Sequence, residues 1–316
     1  MAVDGVLSDY APVISGVPQG TILGPVLFLL YINDLPEYLN LDRTKLKLYA
    51  DDVKIYVEIV SPQSHINLQQ TLDRVVEWAQ TWQLQLAVAK CQVLTISNKR
   101  APEMFPYTMH AQQLQRVNNV RDLGVVINSK LNFGEHCSKI LKSAYARQNL
   151  LFRILKFSDF EVFLHAYKVY IRPMIESATI IWNPYTVRDV QKVESLQRSF
   201  TFRVFRRFNM PYMDYDRRCK VCNLESLSLR RMKFDILYIY KIIHGLVSSD
   251  LISYIAFDRT GTKLRPYCGL DRTAHFFLSR VVQLYNSVPD FVRNGSLRNL
   301  QMYLDSDEFR RLARMR

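Results

Sequence analysis

Two neighbouring aspartates, Asp51 and Asp52, have the side chains and spacing that suit metal-dependent chemistry. On each side of them, at residues 45–48 and 53–57, apolar and polar residues alternate with a period of two. This alternation predicts a β-hairpin at about residues 45–58 with the acids at its turn. Adjacent carboxylates repel each other unless a cation neutralises them. Mg²⁺ fits, because it takes one or two protein carboxylates and leaves other positions for substrate phosphates. A solvated turn is the other interpretation, since Asp is common in turns.

The elements that precede the hairpin are two short strands, a loop and a helix. Residues 1–14 are mostly apolar with one turn signal, and they predict two short strands that lead into the loop at residues 15–20. From Thr21 the pattern becomes helical, and residues 33–36 mark its end. The apolar residues that share one face of this predicted helix are Ile22, Val26, Leu29 and Leu30.

Downstream of the hairpin the sequence changes from mixed to helical. An amphipathic helix that packs one face on a sheet is predicted from the spacing of Leu68, Leu72, Val75, Val76 and Ala79. Strands are expected at residues 92–96, and as a pair at about 113–117 and 123–127. Helices are expected near residues 135–155, 159–171, 187–207, 227–245 and 274–286. The fold class is therefore α+β, with a mixed part at residues 1–128 and a helical, basic part at 129–316.

Composition favours a folded protein with a polyanionic partner. Of the 316 residues, 48% are hydrophobic and 12% aromatic, which is ample for a packed core. Residues 1–155 carry 15 Lys and Arg against 13 Asp and Glu, whereas residues 156–316 carry 27 against 16. The basic second half favours nucleic acid over a membrane as the partner. The five cysteines are irregularly spaced, and the apolar run at residues 26–32 is far shorter than a membrane span. We expect a soluble, intracellular protein.

Several ordered blocks closely resemble the reverse transcriptases of non-LTR (LINE-type) retrotransposons. The first two are Gly-Val-Pro-Gln-Gly-Thr-Ile-Leu-Gly-Pro at residues 16–25 and Tyr-Ala-Asp-Asp at residues 49–52. Further blocks typical of that family lie at residues 28–36, 82–86, 90–91 and 123–127. The tail resembles the region downstream of the polymerase core at residues 182–185, 240–246 and 284–289. The resemblance covers nearly the whole chain.

The resemblance implies RNA-templated DNA synthesis by a two-metal nucleotidyl transfer. Mg²⁺ would be the cofactor, deoxynucleoside triphosphates the substrates, and an RNA template with a DNA primer the partners. Residues 1–128 would be a partial polymerase palm, an antiparallel sheet backed by helices. Residues 129–316 would be a helical thumb and C-terminal region.

The same resemblance implies roles for individual residues. Asp51 corresponds to a direct metal ligand, Asp52 supports the site less directly, and Tyr49 would lie next to the primer end. Lys90 matches a position that meets the leaving pyrophosphate, although a surface lysine before a strand is an equally open interpretation. The residues that would contact nucleotide or template are Gly16, Pro18, Gln19 and Gly20. There, glycines let the backbone come close where a Cβ would collide, and the glutamine amide both donates and accepts.

The sequence departs from the family at the third catalytic carboxylate. In the family that residue ends an apolar strand well upstream of the glycine-rich block, and we expect this sequence to begin after it. Asp4 and Asp9 are the only acids before Gly16 and are poor substitutes. Losing a ligand removes positioning and charge stabilisation, so we expect the polypeptide alone not to be a competent polymerase. The alternative function is a non-catalytic nucleic-acid-binding remnant whose basic half holds RNA or a hybrid duplex.

Two weaker patterns have a functional and a structural interpretation. Cys219 and Cys222 have the spacing of half a zinc site, but no second pair follows, which favours two ordinary thiols. The run at residues 202–208 alternates phenylalanines with arginines, and the run at 230–233 is basic. Each could form a basic face against a phosphate backbone, or a helix with core aromatics and solvated charges.

Overall fold

The structure is a computed structural model that describes residues 2–3, 6–7, 9, 16–17, 20–39, 43–100, 103–259, 261–265 and 276–314. The strands are β1 Ala2–Val3, β2 Val6–Leu7, β3 Lys45–Tyr49, β4 Asp52–Tyr56, β5 Gln92–Leu94, β6 Thr108–Met109, β7 Gln112–Gln113, β8 Gln115–Val117, β9 Asn119–Asp122 and β10 Val125–Asn128. The longer helices are α1 Leu23–Ile32, α3 Pro62–Thr81, α4 Gly134–Ile154, α8 Val187–Arg207, α10 Leu227–Ile243 and α11 Phe277–Asn286. The shorter helices are α2 Leu35–Leu39, α5 Phe160–Ala166, α6 Arg172–Glu176, α7 Thr179–Trp182, α9 Tyr215–Val221, α12 Asp290–Arg293, α13 Leu297–Asp305 and α14 Asp307–Arg314. This content confirms the α+β class.

The chain divides into two compact units, residues 1–118 and residues 119–316. The sequence places the boundary after residue 128 instead. The ten-residue difference is the hairpin of β9 and β10, whose Val125 and Ile127 pack in a core with residues of the helical unit. The hairpin thus goes with the helices because its apolar side chains are buried there.

The first unit is organised around α3, as its amphipathic pattern predicts. The helix begins at Pro62, whose missing N–H costs nothing at a helix N-terminus, after the extended Ser61. Its inward stripe includes Val75, Trp78 and Ala79, all buried. The stripe packs with apolar residues of α1, α2, β3 and β4 in one cluster. That cluster is the core of the unit.

Helix α1 forms where expected but turns its predicted apolar face outward. Ile22 is 90% exposed and Leu30 is 71% exposed, and Val26 and Leu29 are exposed as well. The sequence of α1 is apolar on every side, so its periodicity cannot select the face that is buried. Phe28 pack against the core instead, together with Tyr31.

Every sheet in the described residues has two strands, and one pairing differs from the expectation. The antiparallel pairs are β1–β2, β3–β4, β6–β7 and β9–β10, and the parallel pair is β5–β8. The predicted pairing of residues 113–117 with 123–127 is wrong, because β10 pairs with β9 and β8 pairs with β5. Leu123 and Gly124 both have positive φ, at 44° and 89°. Positive φ at both positions makes a tight two-residue hairpin that pairs residues 119–122 with 125–128.

The second unit is built on two 21-residue helices, α4 and α8, which confirm the predicted helices at 135–155 and 187–207 within a residue. The predicted helix at 159–171 is interrupted, because α5 passes into a π-helical turn, Tyr167–Ile171, before α6. Pro173 in α6 has no N–H to donate to the preceding turn, which accounts for the break. Tyr167 stacks on Phe200 of α8 with the ring centroids 4.4 Å apart.

The tail motifs of the sequence form buried polar contacts. Asn183 accepts a hydrogen bond from Arg231 Nε at 3.0 Å and donates to Asp235 Oδ2 at 3.3 Å. Arg280 makes a bidentate pair with Asp235, from Nε at 2.8 Å and Nη2 at 2.9 Å. Farther along, Asn286 bonds both the N–H and the carbonyl of Leu264, at 2.9 and 2.8 Å. These side chains join α7, α10 and α11 within the core.

Replacing Asp235 by Ala tests this network. It leaves Arg280 without its carboxylate in a largely buried site, and removal of one partner of such a pair costs about 3 kcal/mol. The control is Asp307→Ala, whose exposed pair with Arg310 contributes less than about 1 kcal/mol. Urea unfolding followed by circular dichroism at 222 nm measures both changes. Equal stability losses in the two variants would contradict the role given to Asp235.

Candidate active site at the carboxylate hairpin

Strands β3 and β4 form the predicted hairpin, which is confirmed with its acids at the turn. The strands pair antiparallel from Lys45 opposite Tyr56 to Tyr49 opposite Asp52. Ala50 and Asp51 alone connect them. The turn therefore places Asp51 at the tip and Asp52 on the first paired position of β4.

The backbone of the turn is strained at one position. Ala50 has a φ of 50°, in the left-handed region that a Cβ disfavours by roughly 1 kcal/mol. Two-residue hairpin turns favour a positive φ at their first residue, because this matches the twist of the strands. The strain at Ala50 is thus a local cost of holding the two carboxylates at so tight a turn.

Alternation along the strands separates the hairpin into two faces. Leu46, Leu48 and Ile55 point to one face and pack against the core of the first unit. Tyr49, which is 66% exposed, and Asp52 lie on the other face as cross-strand neighbours. The structure therefore brings Tyr49, Asp51 and Asp52 together at the solvent-facing end of the hairpin.

The layer beneath the hairpin contains residues that the sequence did not single out. Trp78 of α3 is buried and donates from Nε1 to Asp34 Oδ1 at 3.1 Å. Thr71 donates to Thr44 Oγ1, just before β3, at 3.4 Å. Arg74 donates to the carbonyl of Leu39 at 2.8 Å. The signal for Trp78 was present in the sequence, because it lies on the same helical stripe as its neighbours Val75 and Ala79 in α3.

The remaining predicted site residues are placed separately. Gly16 and Gly20 have φ values of 94° and 78°, and a Cβ on either would meet no atom within 4 Å. Within the chain, backbone conformation rather than crowding therefore explains these glycines. Lys90 is exposed and ends the 3₁₀ turn Val88–Lys90, immediately before β5. Its two interpretations stay open. Pro18 and Gln19 lie outside the described residues.

The donor set at the turn fits a hard cation only in part. Two carboxylates on adjacent exposed residues, Asp51 and Asp52, match the one or two that Mg²⁺ takes from a protein. Across the described residues, no group of three or more His, Cys, Asp or Glu side chains could hold a metal ion. The turn can therefore supply part of a coordination shell, and the rest would come from water, phosphate or further protein oxygens.

Comparisons with known proteins agree with the motifs. Residues 3–127 match the family described as reverse transcriptase (RNA-dependent DNA polymerase). The chain is 27% identical over 146 residues to the RNA-directed DNA polymerase from mobile element jockey of Drosophila melanogaster, covering 44% of this chain and 16% of that protein. It is 30% identical over 148 residues to the probable RNA-directed DNA polymerase from transposon BS of the same species, covering 43% and 16%. Residues 3–127 belong to the reverse transcriptase family, of the non-LTR type.

A third relative extends the similarity beyond this reverse transcriptase segment. The probable RNA-directed DNA polymerase from transposon X-element of Drosophila melanogaster is 25% identical over 191 residues, which is 58% of this chain and 21% of that protein. The chain spans between 16% and 21% of the length of these three curated relatives. No solved structure matches it.

The weaker patterns of the helical unit now have structural explanations. Cys219 and Cys222 are buried free thiols. Burial raises the pKa of Cys222 to about 12 and also raises that of Cys219, which suits ordinary core thiols. Arg203 lies over the ring of Phe152, 4.0 Å from its centroid. Among the described residues, no helix has the length and apolar character that a bilayer crossing requires.

Replacing Ala50 by Gly tests the strain at the turn. Because glycine accepts a positive φ freely, the variant should stabilise the hairpin by about 0.5–1 kcal/mol. Amide hydrogen exchange in β3 and β4 should slow by about two- to five-fold. The matched control is Ala87→Gly, where φ is −83° and glycine should bring no gain. Faster or unchanged exchange in Ala50→Gly would show that the turn is not strained.

Proposed function

We propose that Asp51 and Asp52 are the metal-binding carboxylates of an RNA-directed DNA polymerase site, and that this chain contributes part of that site. The observation that carries the proposal is the hairpin itself. It presents both acids at an exposed two-residue turn, within a segment that belongs to the reverse transcriptase family. The family generally uses divalent metal ions. When bound, such ions stabilise the attacking and leaving oxygens of phosphoryl transfer.

The other residues of the site bind and position the substrates in this proposal. Tyr49 lies across the strand pair from Asp52, and its exposed ring would contact the end of the DNA primer. Gly16 and Gly20, with Pro18 and Gln19 between them, would approach the nucleotide and the RNA template. Lys90 would neutralise charge on the pyrophosphate that leaves the deoxynucleoside triphosphate.

We also propose that the polypeptide by itself does not extend primers. Two-metal nucleotidyl transfer depends on ligands that fix both ions, and the described residues group only two carboxylates at the turn. Loss of positioning and of charge stabilisation each typically costs orders of magnitude in rate. An additional carboxylate, from protein outside the described residues, would be needed for full activity.

One observation favours a second candidate function, the binding of nucleic acid without catalysis. Residues 119–316 carry 33 Lys and Arg against 18 Asp and Glu, whereas residues 1–118 carry 9 against 11. A positive charge concentrated in one unit favours contact with a phosphate backbone. In this second function the helical unit would hold RNA or an RNA–DNA hybrid.

Primer extension separates the two functions from a competent enzyme. The chain is incubated with an RNA template, an annealed DNA primer, Mg²⁺ and deoxynucleoside triphosphates, beside the variant Asp51→Ala/Asp52→Ala. We expect no extension by either protein above background, together with salt-sensitive binding of the hybrid. Extension that depends on the two aspartates would contradict the proposed inactivity. Absence of hybrid binding would contradict both proposed functions.

A further inference from the structure

The solvent-facing side of the hairpin has a composition that the two acids do not explain. Its three cross-strand pairs are Tyr49 with Asp52, Lys47 with Lys54, and Lys45 with Tyr56. All six side chains are exposed. The face therefore runs from the carboxylates at the turn through a pair of lysines to a third lysine and a second tyrosine.

The central pair is unfavourable for the hairpin alone. Lys47 and Lys54 lie directly opposite each other, and like charges in that position destabilise a strand pair by a few tenths of a kcal/mol or more. Lysine also has a low preference for strands. Lysines protect exposed sheet edges from aggregation, but that role does not require two of them face to face. Two cations held side by side are well suited to a bound anion.

The distance from the turn makes a polymeric anion the best match. Residues rise by about 3.4 Å along a strand, so the lysine pair lies about 7 Å from the Tyr49–Asp52 pair. Lys45 lies about the same distance farther on. Phosphates of one strand that reach the carboxylate turn would continue over these lysines, and exposed tyrosine rings at both ends offer surfaces on which bases can stack.

We propose that Lys47 and Lys54 are positioning residues that bind the phosphate backbone of the nucleic-acid strand whose end lies at Asp51 and Asp52. The proposal rests on the proposed function of the two aspartates. It adds that the face next to them holds the strand through charge, with Lys45 and Tyr56 extending the track. Neither lysine takes part in the chemistry.

The test compares the full chain with Lys47→Gln/Lys54→Gln and with a matched control, Lys99→Gln/Arg100→Gln. The control removes the same charge from an exposed loop of the same unit. Binding of a fluorescent RNA–DNA hybrid with a recessed DNA end is measured by anisotropy at several salt concentrations. Each lost phosphate contact should lower the slope of log K against log [salt] by about 1. We expect a decrease of about 2 for the lysine variant and no change for the control.

A conservative variant distinguishes charge from structure. Lys47→Arg/Lys54→Arg keeps both cations and should keep the salt slope of the parent chain. Circular dichroism confirms that every variant is folded. A parent-like slope for Lys47→Gln/Lys54→Gln would overturn this proposal and leave the proposed function standing. Failure of the parent chain to bind the hybrid at all would overturn both.

Discussion

The repulsion between Asp51 and Asp52 is the constraint around which the first unit is arranged. The two acids are adjacent, and a two-residue turn leaves them no room to separate. The turn is held by five cross-strand pairs, and the inner face of the hairpin is fixed on the core through Leu46, Leu48 and Ile55. Because the backbone cannot relax the repulsion, a cation has to reduce it. The strained φ of Ala50 shows that the fold accepts a local cost to keep this arrangement.

The positive charge of the helical unit is a weaker guide to function than its size suggests. Several of its arginines are used in structural contacts. Arg203 and Arg207 lie over the rings of Phe152 and Phe163, and Arg280 pairs with Asp235. These guanidinium groups stabilise aromatic clusters and buried carboxylates. They favour the structural interpretation of the phenylalanine–arginine run, and a nucleic-acid surface on this unit would have to use other cations.

Local patterns predicted most of the elements, whereas tertiary choices escaped them. The hairpin, α3, α4 and α8 follow from periodicity and are found close to the expected bounds. The buried face of α1 could not be predicted, because the helix is apolar all round. The pairing of β10 with β9 depends on positive φ at Leu123, a residue that gives no such signal by type. At the site, the acids and Tyr49 were predictable from alternation, but the supporting contacts of Trp78 depend on packing between distant segments.

The central claim is that the turn formed by Asp51 and Asp52 binds a divalent cation. Paramagnetic line broadening by Mn²⁺ in the amide NMR spectrum tests it most directly, because the effect is confined to residues near the bound ion. The account predicts saturable broadening centred on Tyr49 to Asp52 that disappears in Asp51→Asn/Asp52→Asn. Broadening that is equal in the variant, or centred elsewhere in the chain, would contradict it.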